Sequence, residues 1–235
     1  TAYDPANSDF AGEIAIIIDA AGNDTYKVPA GANQSVENGV SLVVDFDGQD
    51  EYAYEEVPDG DDTTNLLTSD TDGRATSGDI NQENGPVSQS DIARQGAGRL
   101  GIGLLVDWGG QDDIYRSLRL SQGAGVFGVG ALFDDGGIDD YDAEAFAQGA
   151  AMKGMGVLWD VGGGDAYRLW HAGQGFGTAS GAGLLADRSG SDDYIAEPGE
   201  FGGTKVLYYS VTDRGISNRN VAQGAGVGLP SDAQT

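Results

Sequence analysis

The stretch LLVDWGGQDDIY (residues 104–115) sets aspartates on both sides of a glycine pair and closes on a tyrosine. The same pattern returns in IIIDAAGNDTY (16–26), LVVDFDGQDEY (42–52), ALFDDGGIDDY (131–141), VLWDVGGGDAY (157–167) and LLADRSGSDDY (184–194). The leading aspartates of the six copies are Asp19, Asp45, Asp107, Asp134, Asp160 and Asp187, separated by 26, 62, 27, 26 and 27 residues. A Gln-Gly pair recurs with the same unit, at Gln95, Gln122, Gln148, Gln174 and Gln223, with separations of 27, 26, 26 and 49. The unit is about 26 residues, and the two long intervals mark insertions at about 53–94 and about 197–219. Self-similarity at a fixed period of this size is the signature of stacked repeats, in which one unit cannot bury its apolar face alone. All 235 residues therefore read as a single repeat domain interrupted twice.

Each unit contains a short run such as GIGLLVD (101–107) or GMGVLWD (154–160), too short and too rich in glycine for a helix, followed by a tight turn and a second run at the tyrosine. These are strands, and the fold class is all-β: a parallel β-solenoid with one coil per repeat. Counting back from the leading aspartate, positions −1, −3 and −5 are apolar (Val106, Leu104 and Ile102; Trp159, Val157 and Met155), while −4 and −6 are mostly glycine. The bulky set is expected to fill the core side of the strand and the glycines to face away.

Stacking places equivalent residues above one another at about 4.8 Å. The leading aspartates then form one column, and Asp24, Asp50, Asp112 or Asp113, Asp139, Asp165 and Asp192 form a second. Like charges about 5 Å apart at an effective dielectric near 20 cost on the order of 3 kcal/mol per contact. The chain has a net charge of −26 with only 12 Lys plus Arg, and no basic ladder accompanies the motif. The counter-charge is expected from outside the chain. Of the 38 acidic residues 29 are Asp and 9 are Glu, a bias toward the residue of turns and oxygen-ligand metal sites. Ca²⁺ suits such a column, with turn carbonyls completing the shell. The same charge balance argues against nucleic acid as a partner, and no apolar run is long enough to predict membrane insertion. There is no Cys, so thiolate metal sites and disulfides are excluded.

The turns GGQDDIY (109–115), GGIDDY (136–141), GGGDAY (162–167) and AGNDTY (21–26) resemble the calcium-binding repeats of RTX proteins, glycine-rich nonapeptides that end in an aspartate followed two residues later by an apolar residue. The resemblance covers the turn alone, and this chain differs in its period and in carrying tyrosine at the apolar position. It implies a β-roll-like fold, calcium in the turns and secretion.

The tyrosines Tyr26, Tyr52, Tyr115, Tyr141, Tyr167 and Tyr194 form a further column, read as rings stacked between coils, with a sugar-binding strip as the alternative. The Gln-Gly glutamines read as an amide ladder. His171 is the only histidine, and six equal constellations do not make one active site, so no enzyme activity is expected. Arg116, Arg168 and Lys27 follow their tyrosines as surface cations. In the first insertion, Asp70, Asp72 and Asp79 begin like a calcium loop without its closing glutamate; in the second, KVLYYSV (205–211) reads as a strand. The expected function is that of a non-catalytic, calcium-stabilised extracellular or cell-surface structural protein, with a carbohydrate-binding or carbohydrate-active β-helix as the alternative and polysaccharide as a partner. The half-coil QGAGVGL (223–229) and the strand EIAIIID (13–19) suggest self-association by head-to-tail stacking into a filament.

Overall fold

The computed structural model describes residues 2–3, 15–54, 92–178 and 180–196, with the short strands Glu200–Phe201, Thr204–Lys205, Ser210–Thr212 and Gly226–Gly228. Among the described residues there is no helix. The chain winds as a parallel β-solenoid with three faces. One face is a leading sheet of Ile16–Ile18, Val40–Asp45, Ile102–Asp107, Val129–Asp134, Met155–Asp160, Ala182–Asp187 and Gly226–Gly228. The second is a tyrosine sheet of Ala2–Tyr3, Thr25–Tyr26, Glu51–Tyr52, Ile114–Arg116, Asp140–Ala145, Ala166–His171 and Asp193–Ala196, to which Ser210–Thr212 adds antiparallel. The third is a short sheet of Gly98–Arg99, Gly125–Val126, Ala151–Met152 and Gly177–Thr178.

The register follows the sequence repeat. Asp45, Asp107, Asp134, Asp160 and Asp187 pair in one row, and Tyr3, Tyr26, Tyr52, Tyr115, Tyr141, Tyr167 and Tyr194 in another. Asp45 pairs with Asp107 across 62 residues of sequence, so the first insertion leaves the stack without a missing rung. After the second insertion Gly226–Gly228 pairs with Leu185–Asp187 in the leading sheet, although the Gln-Gly repeat aligns Gly226 with Gly177 of the short sheet. Of the strand expected at 205–211, Lys205 pairs back on Glu200 and Ser210 and Val211 pair antiparallel with the tyrosine sheet, while 206–209 lie outside the described residues. Asp70, Asp72 and Asp79 and Gln223 also lie outside them.

The core-facing set of the leading sheet is the opposite of the expectation. Ile17, Val43, Leu105, Leu132, Leu158 and Leu185, all at position −2, are the buried row; positions −1, −3 and −5 lie on the other side of the strand, where in the six-residue strands −5 is exposed and −3 is half-buried or, at Ala131 and Val157, buried. The cause is how thin the coil is. A Cβ added at Gly156 would run into the carbonyl oxygen of Ala150 on the corner opposite, and one at Gly130 into that of Ala124. Position −4 therefore has room for little beyond hydrogen, while the remaining interior is filled by one aliphatic row and the tyrosine rings. The rings stack nearly parallel with centroids 4.5–4.9 Å apart along all seven tyrosines, and six of the seven, all but Tyr3, are buried. A sugar-binding role for this column is thereby excluded.

The glutamines tie coils together, though not amide to amide. Gln122 and Gln148, held at φ 49° and 52°, each donate from Nε2 to carbonyls of two successive coils, Tyr115 and Asp142 for the first, Tyr141 and Arg168 for the second. Arg116 pairs with Glu51 at 2.9 Å and Arg168 with Asp140 on the surface. The His171 backbone pairs with Ala145 at the end of its strand; its side chain lies outside the described residues.

A buried aspartate column as candidate metal centre

The leading aspartate ends its strand on the core side, since it shares parity with position −2. Its two carboxylate oxygens have separate tasks. Oδ1 closes the turn by accepting an N–H two residues on, as from Gly136 to Asp134 at 2.7 Å and from Gly162 to Asp160 at 2.8 Å. Oδ2 faces inward and accepts a tyrosine hydroxyl: Tyr52 to Asp107 at 2.7 Å, Tyr141 to Asp160 at 2.8 Å, Tyr194 to Asp187 at 2.8 Å, with Tyr3 on Asp19, Tyr26 on Asp45 and Tyr115 on Asp134 in the same way. Tyr167 shares Asp160 at 3.1 Å.

The second aspartate follows the glycine turn. Its Oδ1 accepts the N–H of its counterpart one coil earlier, giving a continuous ladder: Asp24 to Asp50 at 2.6 Å, Asp50 to Asp113 at 2.6 Å, Asp113 to Asp139 at 2.7 Å, Asp139 to Asp165 at 2.8 Å and Asp165 to Asp192 at 3.1 Å. Asp113 is thus the member of the column, and Asp112 is not. Asp112 stands exposed and accepts the Ile138 N–H at 2.8 Å. The turn carbonyls expected as ligands accept coil-to-coil hydrogen bonds instead, as Gly162 O from the Gly137 N–H at 3.0 Å.

Both columns are buried, apart from Asp19, which is half-buried at the end. The Oδ2 atoms of Asp50, Asp113, Asp139, Asp165 and Asp192 are enclosed and accept no hydrogen bond. The two columns meet in five clusters, each with ligand atoms within 4.8 Å of one another: Asp19, Asp24 and Asp45; Asp50, Asp107 and Asp113; Asp113, Asp134 and Asp139; Asp139, Asp160 and Asp165; Asp165, Asp187 and Asp192. Asp113, Asp139 and Asp165 each serve two clusters, so the last four form one unbroken line.

Burial pushes the carboxyls far above their ordinary value of 3.8, with the neighbouring carboxylates adding to it: Asp50 to about 7, Asp139 and Asp187 to about 8, and Asp113 and Asp165 to about 9. Asp107 rises to about 6, and Asp134 and Asp160 also rise, chiefly through burial. The tyrosine hydroxyls are held in the neutral, donating form by burial and by the carboxylates they face. The column therefore needs either protons or cations.

These clusters could bind a metal ion: their donors are all oxygens, they lack His and Cys, and each holds three carboxylates with at least one oriented oxygen lacking a partner in the last four. Such a donor set is that of a hard cation. Two carboxylates enter the interior per coil, so one divalent ion per coil would neutralise the line. The tyrosine hydroxyls were not anticipated as part of the site, although the Asp-x-Tyr spacing is constant from Asp24-Thr25-Tyr26 to Asp192-Asp193-Tyr194. Compared with protein-family models, curated proteins and solved structures, the chain finds no match.

Proposed function

We propose that the chain is a non-catalytic structural protein of the cell exterior whose interior aspartate line is loaded with calcium. The observation that carries this reading is the row of enclosed, unpartnered Oδ2 atoms on Asp50, Asp113, Asp139, Asp165 and Asp192. A fold that exposes its acids to water has no need of an ion; one that encloses two per coil does. Bridging aspartates shared between clusters suit the flexible, high coordination of Ca²⁺ better than Mg²⁺, which holds to octahedral geometry and keeps its waters. Calcium is abundant outside cells, which supports an extracellular site of action. The equal, repeated clusters supply stiffness along the rod and no distinctive constellation for catalysis. Head-to-tail association is consistent with the open ends of the sheets: among the described residues Ile16–Ile18 has a strand neighbour on one side only.

Elemental analysis after gel filtration from calcium-containing buffer tests the reading. Four to five calcium ions per chain are expected from the five clusters. Less than one, or magnesium in its place, contradicts it. Sedimentation at high concentration in millimolar calcium checks the association, and a strictly monomeric boundary rejects it.

A further inference from the structure

The reversed leading sheet carries a row of exposed apolar residues on its outer side. Val40, Ile102, Val129 and Met155 form one exposed row on its outer face. At the other end of these strands, four successive coils each present one large aromatic side chain. Phe46 and Trp108 follow the paired Asp45 and Asp107, and Phe133 and Trp159 pair directly in register. Their exposures are 50, 60, 37 and 37%. At the strand spacing the strip is roughly 14 Å long. Trp108, Phe133 and Trp159 together with Val106 and Val161 line a groove of about 250 Å³, with Asp135 at its margin.

We propose that this outer face binds an uncharged polysaccharide chain, with Phe46, Trp108, Phe133 and Trp159 as the stacking platform. Folding does not account for these rings, because the buried leucine and tyrosine rows already fill the core. Their order suits a linear ligand: one ring per coil, with Phe46 and Trp108 just past the strand end and Phe133 and Trp159 two register positions earlier, gives a stepped platform for a chain of sugar rings laid along the solenoid axis, C–H faces down. The Asp135 carboxylate in the groove lining accepts hydrogen bonds as sugar hydroxyls require. Charge selects the class of polymer. With a net charge of −26, which five calcium ions would reduce to −16, and with Asp135 in the groove lining, polyanions are repelled and a neutral chain is not. Area and charge argue against a second copy as the occupant. Five strands of six residues span about 480 Å², below the roughly 800 Å² per partner of a standard interface, and the partner would bring its own excess of negative charge. The proposal is independent of what fills the aspartate line.

The test uses the whole chain in calcium buffer. Its retention is measured on cellulose, xylan, mannan and chitin, on alginate as the acidic counterpart, and on phosphatidylcholine vesicles. Expected is retention on at least one neutral polysaccharide and none on alginate. The double variant Trp108→Ala/Trp159→Ala, and separately Trp108→Ala, should bind at least ten-fold more weakly while melting within a few degrees of the wild type. No retention on any neutral polysaccharide overturns the proposal, as does equal retention of both variants. Variant-sensitive binding to the vesicles assigns the face to lipid, and a variant-sensitive dimer in sedimentation assigns it to a second copy; either result rejects the polysaccharide.

Discussion

At the residue scale, the aspartate and the tyrosine act as one unit, and each can be separated from its neighbour by a single substitution. Tyr141→Phe keeps the ring stack and removes the hydroxyl on Asp160. A lost hydrogen bond to a charged group costs about 1.5–3 kcal/mol, and calorimetric melts read it. Asp165→Asn removes a ligand from two clusters, whereas Asp24→Asn removes one from a single terminal cluster. In millimolar calcium Asp165→Asn is expected to lower stability by about 3 kcal/mol, a fall of roughly 6–12 °C at this chain length, with a smaller effect for Asp24→Asn. In EDTA at pH 8 the sign changes: the asparagine no longer has to be protonated where burial raises the aspartate to about 9, so melting is unchanged or higher. A residue of merely structural importance would fall in both conditions. Most of this column was legible from the six repeats, because like-charged rows need a counter-charge whatever the fold's details. What escaped was its depth. Asp112 and Asp113 look interchangeable when counted forward from glycine; counting back from Tyr115 selects Asp113, whose Oδ1 accepts the Asp50 N–H while the Tyr115 hydroxyl reaches Asp134.

At the scale of the strand and its turn, glycine marks where coil meets coil. Gly156→Ala sends a methyl group into the carbonyl of Ala150, and Gly149→Ala meets that of Leu184 at a left-handed φ of 73°. Each is expected to destabilise by at least 2 kcal/mol, as overpacking and backbone strain do. Gly164→Ala, whose added Cβ would lie 3.7 Å from the Ser191 oxygen, should stay within about 0.5 kcal/mol. Chemical denaturation of the three variants checks the order. The strands and their parallel pairing were readable from the period; which side of the strand is buried was not. Apolar residues at −1, −3 and −5 outnumber the single one at −2, and counting hydrophobes places the larger set inside. The interior of this coil is instead too narrow for it, and parity with the buried aspartate is the signal that decides.

At the scale of the whole molecule, the line of carboxyls makes stability depend on pH in a direction opposite to that of ordinary salt-bridged acids. Asp50, Asp139, Asp187, Asp113 and Asp165 are raised from 3.8 to values of about 7 to 9, so the ion-free folded chain holds protons that the unfolded chain releases. This contribution is fully present below about pH 4 and is lost as pH rises through the folded values. In EDTA the melting temperature should therefore fall steadily from pH 5 to pH 9, and calcium should reverse the fall most strongly at the alkaline end, where ions meet no competing protons. Each site saturated a hundred-fold adds about 2.7 kcal/mol, so several filled sites raise melting by roughly 20 °C or more. The most direct measurement is a pair of thermal melts at pH 8, one in EDTA and one in millimolar calcium. A large upward shift with calcium is the predicted result, and two superimposed curves would contradict the calcium-loaded line.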